Sequence, residues 1–175
     1  MGAEYKGKSI ANWISDLSSD GLECTDAVAA LVEAGKLAVP ELAQNLQNTN
    51  TEIRKMIPLV LGKIGSEAHG AISSLEQVCN SNNKIDAIGA RYALIMITNE
   101  EGSNLSAIAE DLESENGVIR RNAALTLKML GIRAKPVGER IFNMVRREAV
   151  RGDTDQLAYN YASDALKRIG GPHPF

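Results

Sequence analysis

Apolar positions recur along this chain at a fixed interval of 33 residues. A fixed period of this length is typical of proteins in which similar supersecondary units stack on one another. The period therefore predicts a solenoid, an architecture that points to binding. The recurring sets are Val39, Ile72 and Leu105; Leu42, Leu75 and Ile108; Leu61, Leu94 and Leu127; and Ile64, Ile97 and Leu130.

The spacing within each unit is that of helices. Ile53, Ile57, Val60, Leu61 and Ile64 recur at three and four residues, which places them on one face of a helix. No segment shows the alternation expected of a strand, and short polar segments separate the helices. The sequence therefore predicts an all-α fold of about five helical hairpins. The predicted pairs are 8–18 with 24–34, 38–48 with 51–64, 70–80 with 84–97, 103–114 with 117–130, and 135–149 with 154–169.

The first and last units depart from the regular period. Terminal units of a solenoid must cover a core that would otherwise be exposed, so we interpret these two as caps. We expect one repeat domain over residues 1–170 and a flexible tail over 171–175, because the tail is rich in glycine and proline.

Composition and charge limit the compartments and partners to be expected. The chain has 175 residues, of which 44% are hydrophobic, and its net charge of -3 provides no overall attraction to nucleic acid or anionic lipid. It contains no apolar run long enough to span a membrane. We expect a cytoplasmic protein, with prior removal of a signal peptide as the open alternative.

Three stretches of the second unit resemble a known repeat. Residues 38–42, 51–54 and 61–65 are similar to the short HEAT-like repeat of phycobilisome-lyase-type and related bacterial proteins. That pattern runs from an apolar-Pro-x-Leu opening through Val-Arg to Ala-Leu-Gly-x-Ile-Gly. The fourth unit repeats it around Arg120, whereas the third has Ala87 in place of the arginine. The resemblance covers residues 24–170 and implies a right-handed α-solenoid.

Residues that could support catalysis or hold a metal are sparse in the sequence. His69 lies in a predicted turn and His173 in the tail, and neither has a carboxylate at helical spacing that would mark a general base. Metal-binding spacings such as Cys-x-x-Cys or His-x-x-x-His do not occur. We therefore predict no catalytic residue, no metal and no cofactor.

The last third of the chain carries most of the positive charge. Acidic residues interleave with these cations, and only Tyr159 and Tyr161 offer rings on which bases could stack. A solvated charged face explains the pattern, so the sequence argues against nucleic-acid binding.

The repeat also predicts which side chains of the second helices point outward. In a HEAT-like solenoid these positions line the concave surface, and here they form an apolar column with basic edges, as expected of an interaction site. If the register is shifted by one residue, the same side chains belong to the core. The predicted partner-binding residues are Lys55, Met56, Leu59, Lys63, Ile88, Tyr92, Met96, Arg121, Asn122, Leu125 and Met129.

Two functions follow from this surface. The first is a non-catalytic scaffold that holds a protein or peptide in the concave groove. The second, implied by the resemblance, is a subunit of a chromophore-lyase-like enzyme that holds a tetrapyrrole or its acceptor protein. In that case Lys55, Lys63 and Arg121 would face the propionates of the bilin.

Overall fold

A computed structural model describes residues 2–150 and 155–171 of the chain. The chain divides into two compact units, Met1–Glu100 and Glu101–Phe175. Both units are built from α-helices, so the predicted all-α class is confirmed apart from one short hairpin of strands. Residues 172–175 of the predicted tail lie outside the described residues.

The first unit opens with the strands β1 and β2, which the sequence did not predict. Lys6 and Gly7 both have positive φ angles, of 51° and 74°, and form the tight turn between these two-residue strands. Strands of this length are too short to produce a visible alternation. The elements are β1 (Glu4–Tyr5), β2 (Lys8–Ser9), α1 (Ile10–Ser15), α2 (Leu22–Ala34), α3 (Val39–Gln44), α4 (Thr51–Ile64), α5 (Ile72–Cys79) and α6 (Lys84–Thr98).

The first helix starts later in the chain than predicted, because the strands β1 and β2 precede it. That helix begins at Ile10 rather than residue 8, because Ser9 accepts a hydrogen bond from the Asn12 N–H and caps α1. The Trp13 indole donates to the Tyr5 carbonyl at 3.0 Å and so ties α1 to the hairpin. Trp13 is half-buried, and this hydrogen bond gives its indole N–H a partner within the chain.

The second unit is made of four further helices in the described residues. In it, α10 packs against both α8 and α9. The buried face of α9 includes Ile141, Met144 and Val145, and that of α10 includes Ala162 and Leu166. The helices are α7 (Gly102–Glu110), α8 (Gly117–Leu130), α9 (Gly138–Val150) and α10 (Gln156–Arg168).

The long helices α4, α6 and α8 start at asparagines that follow the 33-residue step. The side-chain oxygens of Asn50, Asn83 and Asn116 each accept hydrogen bonds from N–H groups in the first turn of their helix. These N–H groups have no partner inside the helix, so the asparagines satisfy donors that would otherwise be lost. The repeated caps explain why the predicted helix starts agree with the structure.

The end of α6 differs from the ends of the other second helices. The sequence has Thr98 at the repeat position where α4 and α8 are followed by glycine. Asn99 adopts the left-handed conformation, with φ of 63°, and its N–H bonds to the Ile95 carbonyl. Asparagine tolerates this conformation better than other side chains do, whereas Gly102 begins α7.

The arginines of the HEAT-like pattern make the same bond in both units. Arg54 Nη1 donates to the Asn48 carbonyl at 2.7 Å, and Arg120 Nη1 donates to the Ser114 carbonyl at 2.8 Å. Each arginine therefore ties the first turn of a second helix to the loop before it. The third repeat of the sequence has Ala87 at this position and cannot make the bond.

Each of these arginines also faces a carboxylate. Arg54 Nε lies 2.7 Å from Asp86, and Arg120 Nε lies 3.0 Å from Glu148 on α9. The second pair is the more buried, because the Glu148 side chain has no exposed surface. A buried carboxylate needs a cation nearby to offset its lost hydration.

Two glycines allow α4 and α6 to approach closely. A Cβ atom on Gly62 would lie 2.6 Å from Cε1 of Tyr92, which means that the tyrosine ring occupies the space of a missing side chain. A Cβ atom on Gly89 would lie 3.5 Å from Pro58, an ordinary contact distance. Of these two positions, Gly62 is the one that is sterically closed to a side chain.

None of the helices within residues 2–150 and 155–171 is long and apolar enough to cross a membrane.

Replacing Gly62 with Ala should destabilise the chain by about 1–3 kcal/mol, because the new methyl group overlaps the Tyr92 ring. The matched control is Gly89→Ala, which has room for its methyl group and should gain about 0.5–1 kcal/mol from reduced backbone freedom. Urea unfolding followed by circular dichroism measures both. Equal effects of the two variants would contradict the packing described for Tyr92.

Replacing Glu148 with Ala leaves the buried Arg120 without its carboxylate and should cost about 3–5 kcal/mol of unfolding free energy. The comparison variant is Asp164→Ala, which breaks a pair whose carboxylate side chain is 44% exposed and should cost at most about 1 kcal/mol. The same urea titration applies. A smaller loss for Glu148→Ala than for Asp164→Ala would show that the buried pair is not what stabilises this unit.

Candidate partner-binding surface

The four residues predicted to face outward on α4 reach solvent. Lys55 and Lys63 are exposed, and Met56 and Leu59 are half-buried between them. The opposite face carries Ile53, Ile57, Pro58, Val60 and Leu61, all of which are buried. The side chains of α4 therefore divide into a buried face and an accessible face.

The exposure predicted for Ile88 and Tyr92 on α6 is wrong. Ile88 is 1% exposed and Tyr92 is 8% exposed. The cause is that α6 is apolar around most of its circumference, and a helix of that kind is buried on more than one side. Burial also raises the pKa of the Tyr92 hydroxyl.

The Tyr92 position shows why the repeat was misleading here. On α4 the corresponding residue, Leu59, is half-buried, whereas Tyr92 on α6 turns its ring onto Gly62. A glycine inside a helix often marks a close approach of two backbones, and this signal was present in the sequence. Met96, one turn further along α6, is half-buried and stays at the surface.

The predicted residues of α8 are all at least partly accessible. Met129 is 40% exposed, and Arg121, Asn122 and Leu125 are half-buried. The Asn122 amide donates to the Val118 carbonyl of its own helix at 2.8 Å. This leaves Leu125 and Met129 as the apolar part of the surface on α8.

Ion pairs to α10 flank that apolar part. Arg121 Nη2 lies 3.0 Å from Asp155, and Lys128 Nζ lies 2.8 Å from Asp164. The Lys128 ammonium also lies over the Tyr161 ring, 5.2 Å from its centroid. The 33-residue step does not predict that Asp155 and Asp164 pair with these cations, because the last repeat of the sequence departs from that step.

The two carboxyls of these pairs have lowered pKa values. Partial burial raises the pKa of Asp155, but hydrogen bonds from the Ala158 N–H and from Arg121 outweigh that effect and lower it. The hydrogen bond from Lys128 is the main cause of the lowered pKa of Asp164. Both carboxylates are therefore charged at neutral pH and neutralise the cations that face them.

Two further cations of the last third of the chain are also paired within their own unit. Arg120 and Arg133 also face carboxylates, Glu148 at 3.0 Å and Glu101 at 3.0 Å. Cations that are neutralised in this way attract phosphates weakly. Residues 2–150 and 155–171 contain no group of three or more His, Cys, Asp or Glu side chains placed to hold a metal ion.

Sequence comparison adds no relative to this description. The chain matches no protein-family model, and no curated protein is significantly similar to it. The HEAT-like resemblance therefore depends on the repeated residues themselves: the period, the arginines and the glycine-ended second helices.

Proposed function

We propose that this chain is a right-handed α-solenoid of five HEAT-like hairpins that catalyses no reaction and binds a protein or peptide partner. The proposed contact areas are the outward side chains that reach solvent on α4 and α6 of the first unit and, separately, on α8 of the second; we call these residues the second-helix surface. Its members are Lys55, Met56, Leu59, Lys63, Met96, Arg121, Asn122, Leu125 and Met129.

The observation that carries the proposal is the mixture of side chains on α4. Met56 and Leu59 keep part of their apolar area in water although Lys55 and Lys63 stand on either side of them. Accessible apolar residues with charged neighbours are typical of protein interaction sites. Leu125 and Met129 repeat the arrangement on α8, where ion pairs provide the polar margin.

The amino acid types also favour a polypeptide partner. Methionine is unbranched and polarisable, so it adapts its shape to the side chains that it meets. The second-helix surface contains three methionines, one on each of its helices. Fully burying one large apolar side chain contributes about 1.5–3 kcal/mol before ordering costs, so a few of them suffice for a moderate affinity.

The experiment compares affinity capture by the intact wild-type chain with capture by Leu59→Glu and Met129→Glu variants. Each variant places a charge in the apolar part of the surface, so a specific partner should lose about tenfold or more in affinity. Captured proteins are identified by mass spectrometry and then titrated in purified form.

The matched control is Leu37→Glu, because Leu37 is 46% exposed and lies outside the second-helix surface. It should retain the partner. Lys63 is exposed on the same face of α4. If Leu59→Glu loses helical signal in circular dichroism, Lys63→Glu tests that face in its place. Equal capture by all variants would contradict the proposal. A shift in the absorbance of a bilin added to the chain would also contradict it and would favour the lyase-like alternative.

A further inference from the structure

The helix α9 carries a basic face that the second-helix surface does not include. One side of α9 is buried and contains Ile141, Met144 and Val145. The other side is accessible over its whole length: Arg140, Asn143 and Arg146 are exposed there, Arg147 is half-buried and Val150 is 85% exposed.

Part of this face is concave. A surface groove of about 470 Å³ is lined by Asn143, Arg146, Arg147 and Val150. These positions follow the spacing i, i+3, i+4 and i+7, so they lie on one side of the helix. The groove thus combines the amide and guanidinium donors of three residues with one apolar wall.

Arg140 and Arg146 of α9 differ from three other arginines of their unit in their charge environment. Arg120, Arg121 and Arg133 each face a carboxylate within hydrogen-bonding distance. Within the described part of the chain, Arg140 and Arg146 form no ion pair with a carboxylate. Their positive charge is therefore available to a ligand.

Neutral contacts hold two of these side chains in place. The Arg146 guanidinium lies over the Phe142 ring, 5.8 Å from its centroid, and Arg147 donates a hydrogen bond to the Leu112 carbonyl. A ring face and a backbone carbonyl orient an arginine without cancelling its charge. Arginines fixed in this way lose less side-chain entropy when they bind a ligand.

We propose that this α9 groove is a second docking site, and that its occupant is an acidic segment of a protein partner. Guanidinium groups pair with carboxylates through two parallel hydrogen bonds, which suits Asp and Glu side chains spaced along a peptide. The exposed Val150 supplies a contact for an apolar residue next to them.

The groove suits an acidic peptide better than nucleic acid. The described residues that line it include no aromatic side chain on which a base could stack, and Glu139 adds a negative charge to the exposed part of the same helix. The apolar side chain of Val150 makes no favourable contact with a charged phosphate backbone. Charge complementarity together with apolar contact is what an acidic peptide with interspersed apolar residues provides.

The experiment selects peptides from a random displayed library on the intact chain and measures the affinity of the enriched sequences by fluorescence anisotropy. Acidic peptides should be enriched. Their affinity should fall about tenfold or more in an Arg140→Glu/Arg146→Glu variant, because charge-assisted hydrogen bonds are replaced by repulsion.

The matched control is Arg168→Glu, which reverses the charge of an exposed arginine on α10 of the same unit, outside the groove. It should bind the acidic peptide almost as the wild type does, and Arg146→Gln should lie between the two. The proposal would be overturned if Arg168→Glu lost as much peptide affinity as the double variant, or if no acidic peptide were enriched. It would also be overturned if a single-stranded oligonucleotide bound the same arginines more tightly than the peptide does. Leu59→Glu should leave peptide binding unchanged, so the outcome is independent of the second-helix surface.

Discussion

The junction before each long second helix is the constraint on which this fold depends. The first N–H groups of a helix have no acceptor within the helix, and burying them unsatisfied would be costly. Asn50, Asn83 and Asn116 satisfy them at a spacing that matches the apolar repeat. Arg54 and Arg120 then bind the carbonyls of the preceding loop and bring a carboxylate to the same junction. Because the helix start is fixed relative to the loop, the apolar residues that follow reach the core in the same register each time.

This constraint explains which features could be predicted from the sequence. The starts of α4, α6 and α8 were predictable because asparagine caps are local signals. The strands around Lys6 were not, because a two-residue strand has no periodicity. The outer face of α4 was predictable because its polar and apolar residues separate cleanly, whereas α6 has no clear polar face. There, Tyr92 packs onto Gly62 and is buried, although Leu59, which occupies the same repeat position on α4, is half-buried.

The charges of the second unit show a similar limit. The sequence revealed many cations after residue 119, but only the three-dimensional contacts reveal which are paired. Arg121 and Lys128 bind carboxylates of α10, so they define the edge of the second-helix surface rather than an anion site. Arg140 and Arg146 stand among the same run of cations, yet they lie on a helix face directed away from its buried residues. Proximity in sequence therefore predicts little about which arginines are available to a partner.

Methionine oxidation tests most directly whether the repeat sorts the second helices into buried and accessible sides. Peroxide reaches a thioether only where solvent does, and mass spectrometry resolves each methionine of the intact folded chain. The account predicts fastest oxidation at Met129, which is 40% exposed, slower oxidation at the half-buried Met56 and Met96, and the slowest at Met144, which is 2% exposed. Protection of Met129 in the isolated chain, or oxidation of Met144 at the same rate, would contradict it.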